Sequence, residues 1–439
     1  MKNRIWESFD YLLLGCMLIL VSLGVAFIYS SGVNSDGVLV TNEYIKQLIW
    51  AGVGLIFMVG FTLFDYRKIE RVALWLFLGI IFLLIITLVP FIGRKVNGAR
   101  SWLGIGDIGF QPSEFGKICF IFMLAKYLDE SVNENPIRRF IIASCIFIVP
   151  FGLILIQPDM GSATVYIPIF IIMCFVSGIP VRFIMFILGT GTAMIVFTIL
   201  PVWNEFIAHN SVVLISALTN FKLKMLILLA FFAIFLISFI VRVYFHGPKY
   251  YYWIAYVFCV LTIGLLMSFF AGKFLKDYQI KRLIIFMDPN VDPLGAGWNI
   301  IQSKIAIGSG GWFGRSYLHG TQSHYRFLPQ QSTDFIFSIL SEEFGFFGGC
   351  IVFVLYMIIM FRTLVIIKNT SNRFGMFIAS GILGMFIIHF FINVGMVMGI
   401  MPITGIPLLF LSYGGSSLLT AMSCIGLLMS INSRKFNFY

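Results

Sequence analysis

Three groups of residues have the types and spacing that chemistry uses. Glu114 and Lys117 stand three apart after Gln111-Pro-Ser, so a helix opening at Pro112 puts an acid and a base on one face. Charges dipping into an apolar stretch are costly unless paired or used, and mutual pairing would satisfy these two. Asp288 and Asp292 bracket the stretch Asp-Pro-Asn-Val-Asp-Pro-Leu-Gly, which has turn-forming composition. Around them lie Lys273, Lys276, Lys281, Arg282 and Lys304. A carboxylate among cations stays ionised and can act as a general base, or hold a divalent cation against a phosphate. Two aspartates that merely form turns would look the same locally. Asp159, in Gln157-Pro-Asp-Met-Gly, is a boundary carboxylate or a helix cap.

Other polar groups are less specific. Gly308–Gly314 is glycine-rich but lacks the Lys-Ser/Thr ending of a nucleotide-binding loop, and reads as a flexible turn. His319 and His324 have no third ligand at metal spacing. Glu342 and Glu343 follow Thr333-Asp334 by about nine residues, roughly 14 Å of helix, which places them deep in an apolar span. In a transporter they would be cation or proton sites together with His389; in an enzyme they would pair with outer-loop cations or brace a cavity.

The elements that position these groups follow from composition. The 439 residues are 59% hydrophobic and 11% charged, against about 25% charged in soluble domains. Apolar runs fall near 11–30, 46–64, 71–92, 113–128, 139–157, 160–180, 183–203, 226–245, 252–275, 335–361, 375–397 and 405–431. Each approaches the ~20 residues a spanning helix needs, and none alternates as the strands of an outer-membrane barrel do. The chain therefore reads as all-α, a polytopic helical membrane protein of about 12 spans forming one integral membrane domain over 1–439. The first run, too long for a signal core and without a small-residue cleavage site, reads as a retained helix.

An even number of spans puts both termini on one side. If that side is the cytoplasm, basic residues occupy every short inner turn, as insertion bias favours. The net charge of +11 then reflects topology rather than affinity for nucleic acid. Outer basic residues cluster at Arg94, Lys95, Arg100 and Lys117, and again from Lys273 to Arg326; a bound anion would account for them. The seven cysteines show no ligand spacing and mostly sit in apolar runs, which excludes a disulfide framework. The longest interruption, 276–334, reads as a large extracytoplasmic loop. Within it, Trp298–Ile307 sets Ile300, Ile301 and Ile305 on one face, the pattern of a helix lying on the membrane surface.

Together, RSWLGIGDIGFQPSEFGKI (100–118), QPDMGSATV (157–165), DYQIKR (277–282), DPLGAGWNIIQSKIAIGSGG (292–311), LHGTQSHYRFLPQQSTDFIFSILSEEFGFFGG (318–349) and NVGMVMGIMPITGIPLLFLSYGGSS (393–417) closely resemble the SEDS family (shape, elongation, division and sporulation). The HGTQS and DPLGAG wording favours its rod-elongation branch over its division branch. The resemblance implies a peptidoglycan glycosyltransferase that polymerises lipid II at the outer face of the cytoplasmic membrane. Its implied partners are a class B penicillin-binding transpeptidase and other membrane proteins of the elongation machinery. It assigns the family's essential loop aspartate to Asp292, its Glu/Lys pair to Glu114 and Lys117, and its QPD aspartate to Asp159. Family members usually carry about ten spans, and this chain has an apparent extra pair within 183–275. Ser332 stands where the family usually has His before Thr-Asp.

The implied reaction inverts an α-linked pyrophosphate donor to a β-linked glycan. One inverting displacement needs one base for the acceptor hydroxyl, assigned to Asp292. The leaving diphosphate needs charge stabilisation, assigned to Lys117, Arg100, Lys304 and Arg326, with Glu114 orienting Lys117. A divalent cation, magnesium or manganese, is the one cofactor such chemistry would take. The rival expectation is a flippase for lipid-linked precursors, built on Glu342, Glu343 and His389; a further one is a non-catalytic scaffold for the transpeptidase.

Overall fold

The computed structural model describes residues 9–96, 98–105, 108–206, 213–274, 282, 284–295 and 297–434. In chain order the helices are α1 (Tyr11–Gly32), α2 (Glu43–Leu63), α3 (Ile69–Leu88), α4 (Pro112–Glu130), α5 (Pro136–Ile156), α6 (Met160–Val176), α7 (Val181–Phe206), α8 (Val213–Thr219), α9 (Phe221–Val243), α10 (Tyr250–Phe274), α11 (Trp298–Gly310), α12 (Thr321–His324), α13 (Ile336–Asn369), α14 (Arg373–Val397) and α15 (Gly415–Ser433). Three short strands, β1 (Arg94–Val96), β2 (Ala99–Ile105) and β3 (Ile108–Phe110), precede α4.

Every apolar run of the sequence contains a helix. Among the described residues, ten helices are long and apolar enough to cross a membrane. The other two matching the expected twelve are α4, with five charged residues in nineteen, and α6, with only seventeen residues. These two carry Glu114 and Lys117, and the cap Asp159, so the helices that fall short, α4 by its charges and α6 by its length, are the ones at the polar groups.

The described chain forms two compact units, 1–179 with 302–439, and 180–301. In the first, α14 and α15 are central, with 78% and 94% of their apolar windows buried. Close helix approach in a membrane relies on small residues, and the glycines show where. A Cβ at Gly426 would strike the Met58 backbone of α2. One at Gly381 would meet Ile121 of α4 and Met173 of α6, and one at Gly384 would press on Ile169 of α6. In the second unit, a Cβ at Gly264 of α10 would come 2.6 Å from that of Ala193 in α7. Phe231 of α9 contacts Phe197 of α7 and Phe258 of α10, and the Tyr256 hydroxyl donates to the Arg182 carbonyl at 2.7 Å. The extra spans near 183–275 thus have a compact home of their own.

Four features depart from the sequence expectation. Residues 94–96, 99–105 and 108–110 form a three-stranded antiparallel sheet, order β1-β2-β3, among helices. Asn97-Gly98 between Val96 and its partner Ala99 is a two-residue hairpin signal, and Gly98 takes φ 84°.

The last apolar run starts its helix ten residues later than expected, at Gly415. Residues 402–414 form a non-helical strap, although Leu408, Leu409, Phe410 and Leu411 are nearly inaccessible. Apolarity reported burial there, while Pro402, Gly405 and Pro407 excluded helix.

Helix α13 breaks at Gly345 (φ 65°, ψ −158°). The glycine-rich segment after α11 fills the break. Arg315 and Ser316 N–H donate to the Glu342 and Glu343 carbonyls at 3.0 and 3.1 Å, while Phe346 and Phe347 N–H donate to Gly311 and Trp312 carbonyls at 2.9 and 3.2 Å. Irregular backbone at membrane depth survives only when its polar groups are satisfied by protein, and here two interruptions satisfy each other.

Helix α11 forms where expected, but its isoleucines do not share one environment, Ile300 being buried. Ser303 and Ala306 are buried and Ile305 is 45% exposed. Ser303 Oγ lies 2.8 Å from Ser338 Oγ of α13 and donates to the Val397 carbonyl at 2.7 Å. Its small, polar face is packed into the protein, because Ser303, Ala306 and Gly310 allow close approach; a Cβ at Gly310 would overlap the Ser341 carbonyl.

Candidate active site

In the first unit the polar centre is built on α4. Pro112 opens the helix, and one turn on the Lys117 ammonium meets Glu114 Oε1 at 2.6 Å. The pairing expected from their spacing is present. On its other side the ammonium lies 3.1 Å from His389 Nε2 of α14. His389 Nδ1 is 2.9 Å from the Pro407 carbonyl of the strap. The three side chains are buried, at 4%, 0% and 1% exposure in chain order.

The strap is held by side chains throughout. Asn393, one turn beyond His389, donates to the Ile406 carbonyl at 2.8 Å and to the Asp334 carbonyl at 2.9 Å. Gln47 of α2 donates to the Ser412 carbonyl at 3.1 Å and accepts from Gly414 N–H at 3.3 Å. Leu408 N–H donates to Ser412 Oγ, and the Tyr356 hydroxyl donates to the Leu409 carbonyl. Sequence reasoning missed Gln47, Tyr356 and Asn393, and set His389 in a different role. Their signal was a lone amide, hydroxyl or imidazole inside an apolar run, the pattern that marks internal hydrogen bonding in a bundle.

Asp159 caps α6, accepting from Ser162 N–H at 3.0 Å and from Ser162 Oγ at 2.9 Å. It also accepts from Gln111 Nε2 at 2.7 Å, and Gln111 N–H donates to Ser416 Oγ of α15 at 3.2 Å. One aspartate therefore ties together the starts of α4, α6 and α15. Nearby in sequence to the pair, Arg100 is on β2 and half-buried, its N–H donating to the Gln157 carbonyl at 3.3 Å. Its Nε is a buried donor without a hydrogen-bond partner. Lys304 and Arg326 are exposed.

Glu342 and Glu343 are bound by protein. Glu342 accepts from Thr321 Oγ1 (3.1 Å), Gln322 N–H (2.8 Å) and Ser323 N–H (3.3 Å). Glu343 accepts from Ser30 Oγ and lies 3.7 Å from His324 Nε2. They brace the 320–324 segment onto α13, and no Lys or Arg is paired with either in a salt bridge among the described residues.

In the second unit the two loop aspartates separate in role. Asp288 Oδ1 accepts from Asn290 N–H at 2.9 Å and from its side-chain amide at 3.0 Å, closing the turn Pro289–Val291. Asp292 uses its backbone for the next turn, its carbonyl accepting from Gly295 and Gly297 N–H at 3.3 and 3.0 Å. Its carboxylate lies directly over Gly295, where any Cβ would overlap both oxygens. A Cβ at Gly297 would strike the Pro289 carbonyl. The DPLGAG wording thus keeps the backbone bare beneath one carboxylate. Of the cations expected around it, Lys276 and Lys281 lie outside the described residues, as does the side chain of Lys273. Among the described residues no three His, Cys, Asp or Glu side chains converge as a metal site.

The family model described as "Cell cycle protein", covering FtsW, RodA and SpoVE, matches residues 10–214 and 213–437. Peptidoglycan glycosyltransferase RodA of Treponema pallidum is 52% identical over 99% of this chain and 100% of its own, and so spans the extra helices too. Stage V sporulation protein E of Bacillus subtilis is 33% identical over 96% of each chain. Peptidoglycan glycosyltransferase MrdB of Escherichia coli is 31% identical over 99% of this chain and 96% of its own. Among solved structures, a chain from "Structural coordination of polymerization and crosslinking by a peptidoglycan synthase complex" superposes with TM-score 0.67 at 26% identity, over 98% of this chain and 99% of that one. Thermus thermophilus rod shape determining protein RodA shares the fold, with TM-score 0.60 at 21% identity over 99% of each.

Proposed function

The chain belongs to the FtsW/RodA/SpoVE family and is a multi-pass inner-membrane protein, and on that premise we propose that it is a peptidoglycan glycosyltransferase polymerising lipid II at the outer face of the membrane. The observation that carries this reading is the 52% identity to the Treponema pallidum glycosyltransferase over the whole of both chains. Asp292 is the general base, taking the proton of the acceptor hydroxyl as it attacks the anomeric carbon and the pyrophosphate departs. The turn over Gly295 supports this role, since it presents the carboxylate without a side chain beneath it. Arg100, Lys304 and Arg326 stabilise the departing pyrophosphate. Lys117, oriented by Glu114, adds its charge to the same task, and Asp159 ties the starts of α4, α6 and α15 together. The protein's proposed partners are a class B penicillin-binding transpeptidase and other elongation-machinery membrane proteins; nucleic acid is not among them.

The flippase alternative was built on Glu342, Glu343 and His389 as midplane polar groups, and all three have protein partners that give them a bracing role. The test is glycan production from lipid II by the purified chain, alone and with the transpeptidase. Polymer supports the reading, and translocation of lipid II without polymer refutes it.

A further inference from the structure

An ammonium has three N–H donors. Lys117 gives one to Glu114 and one to His389. The Pro407 carbonyl can only accept, so the proton of the His389 ring is on Nδ1, and Nε2 keeps the lone pair that Lys117 needs. Packing alone does not explain an ammonium, a carboxylate and an imidazole together at 5% exposure or less, because each is costly in an apolar bundle. Asn393, one turn on, fixes the same strap and the Asp334 carbonyl, so one face of α14 holds both the Lys117 ammonium and the strap.

We infer that His389 is a positioning residue for glycosyl transfer: it orients the Lys117 ammonium through Nε2 and locks it to the strap through Nδ1–H. This rests on the function proposed above. The link runs from α4 through Lys117 and His389 to Pro407, and Glu114 Oε2 remains a buried acceptor without a hydrogen-bond partner. The pair's geometry is therefore set from the His389 side as much as by the carboxylate.

The test uses the full-length chain and two substitutions. His389→Leu fills the space without polar groups, whereas His389→Gln can still accept from Lys117 and donate to Pro407. His389→Leu is expected to lower kcat by about 10- to 100-fold, with KM for lipid II within about twofold of wild type. His389→Gln is expected to restore kcat to within about threefold. Wild-type kcat in the Leu variant, or equal loss in both variants, overturns the inference. A readout independent of activity is ¹⁵N NMR of histidine-labelled wild type, with the His389 signal assigned by its loss in His389→Gln. A neutral ring protonated at Nδ1 is expected; a proton on Nε2 overturns the inference. If wild type makes no glycan, the proposed function fails while the tautomer is still read.

Discussion

The Arg315 backbone N–H donates to the Glu342 carbonyl at 3.0 Å, across the point where α13 departs from helical geometry. Three companion bonds pair the same two stretches, so the glycine-rich segment and the helix break form one unit. Neither would be tolerated alone in an apolar surrounding, where unpaired backbone groups cost several kcal/mol each.

Substituting Gly345 tests that unit. Its backbone at φ 65°, ψ −158° is one that only glycine adopts readily, and an added Cβ would press on Trp312 and Gly314 backbone. Gly345→Ala is expected to destabilise the protein by about 1–3 kcal/mol, seen as a lower Tm in detergent. An unchanged Tm would show that the break is not held as described.

Lys117→Met should be worse than losing the whole ion pair. It leaves the Glu114 carboxylate buried without its cation, a loss of about 3–5 kcal/mol in buried pairs. The double substitution Glu114→Gln with Lys117→Met removes both charges and should recover most of that. Thermal unfolding of the two variants decides, and a double variant no more stable than Lys117→Met contradicts the pairing.

Gly295→Ala should separate activity from stability. The added methyl displaces the Asp292 carboxylate, while the residue itself is in an exposed turn. Polymerisation is expected to fall by about 10- to 100-fold with Tm unchanged. Full activity would mean that the carboxylate's present position is not the working one.

At Asp159, loss of the carboxyl oxygen and loss of its charge can be told apart. Asp159→Ala removes the α6 cap and the Gln111 bond, at a cost of about 1 kcal/mol for the cap. Asp159→Asn retains an oxygen that can accept from Ser162 N–H. The Asn variant, which keeps the cap but sets an amide N–H against the Gln111 donor, should lie between wild type and the Ala variant in Tm; equal loss in both would assign the effect to charge.

The positions of the helices were legible because burial in lipid demands apolar runs, and each run marks a helix. The i, i+3 spacing of Glu114 and Lys117 was equally readable, since both partners lie on one helix. The strap at 402–414 was not, because hydropathy reports that Leu408 to Leu411 are buried and is silent on backbone geometry. Nor was the His389–Lys117 contact, which joins residues 272 positions apart and depends on how α14 packs on α4. The mutual repair between Gly345 and the 311–316 segment is of the same kind: each glycine run looks flexible alone, and only their juxtaposition shows that both are fixed. The Asn-Gly turn signal at 97–98 was written in the sequence between β1 and β2 and obscured by the helical reading of everything around it.

Most directly diagnostic is the rate at which purified protein polymerises lipid II when Asp292 is replaced by Ala, in a variant that expresses and unfolds like wild type. With its only proposed base removed, the chain should produce no detectable glycan above background. Glycan made at a substantial fraction of the wild-type rate would contradict the assignment of Asp292.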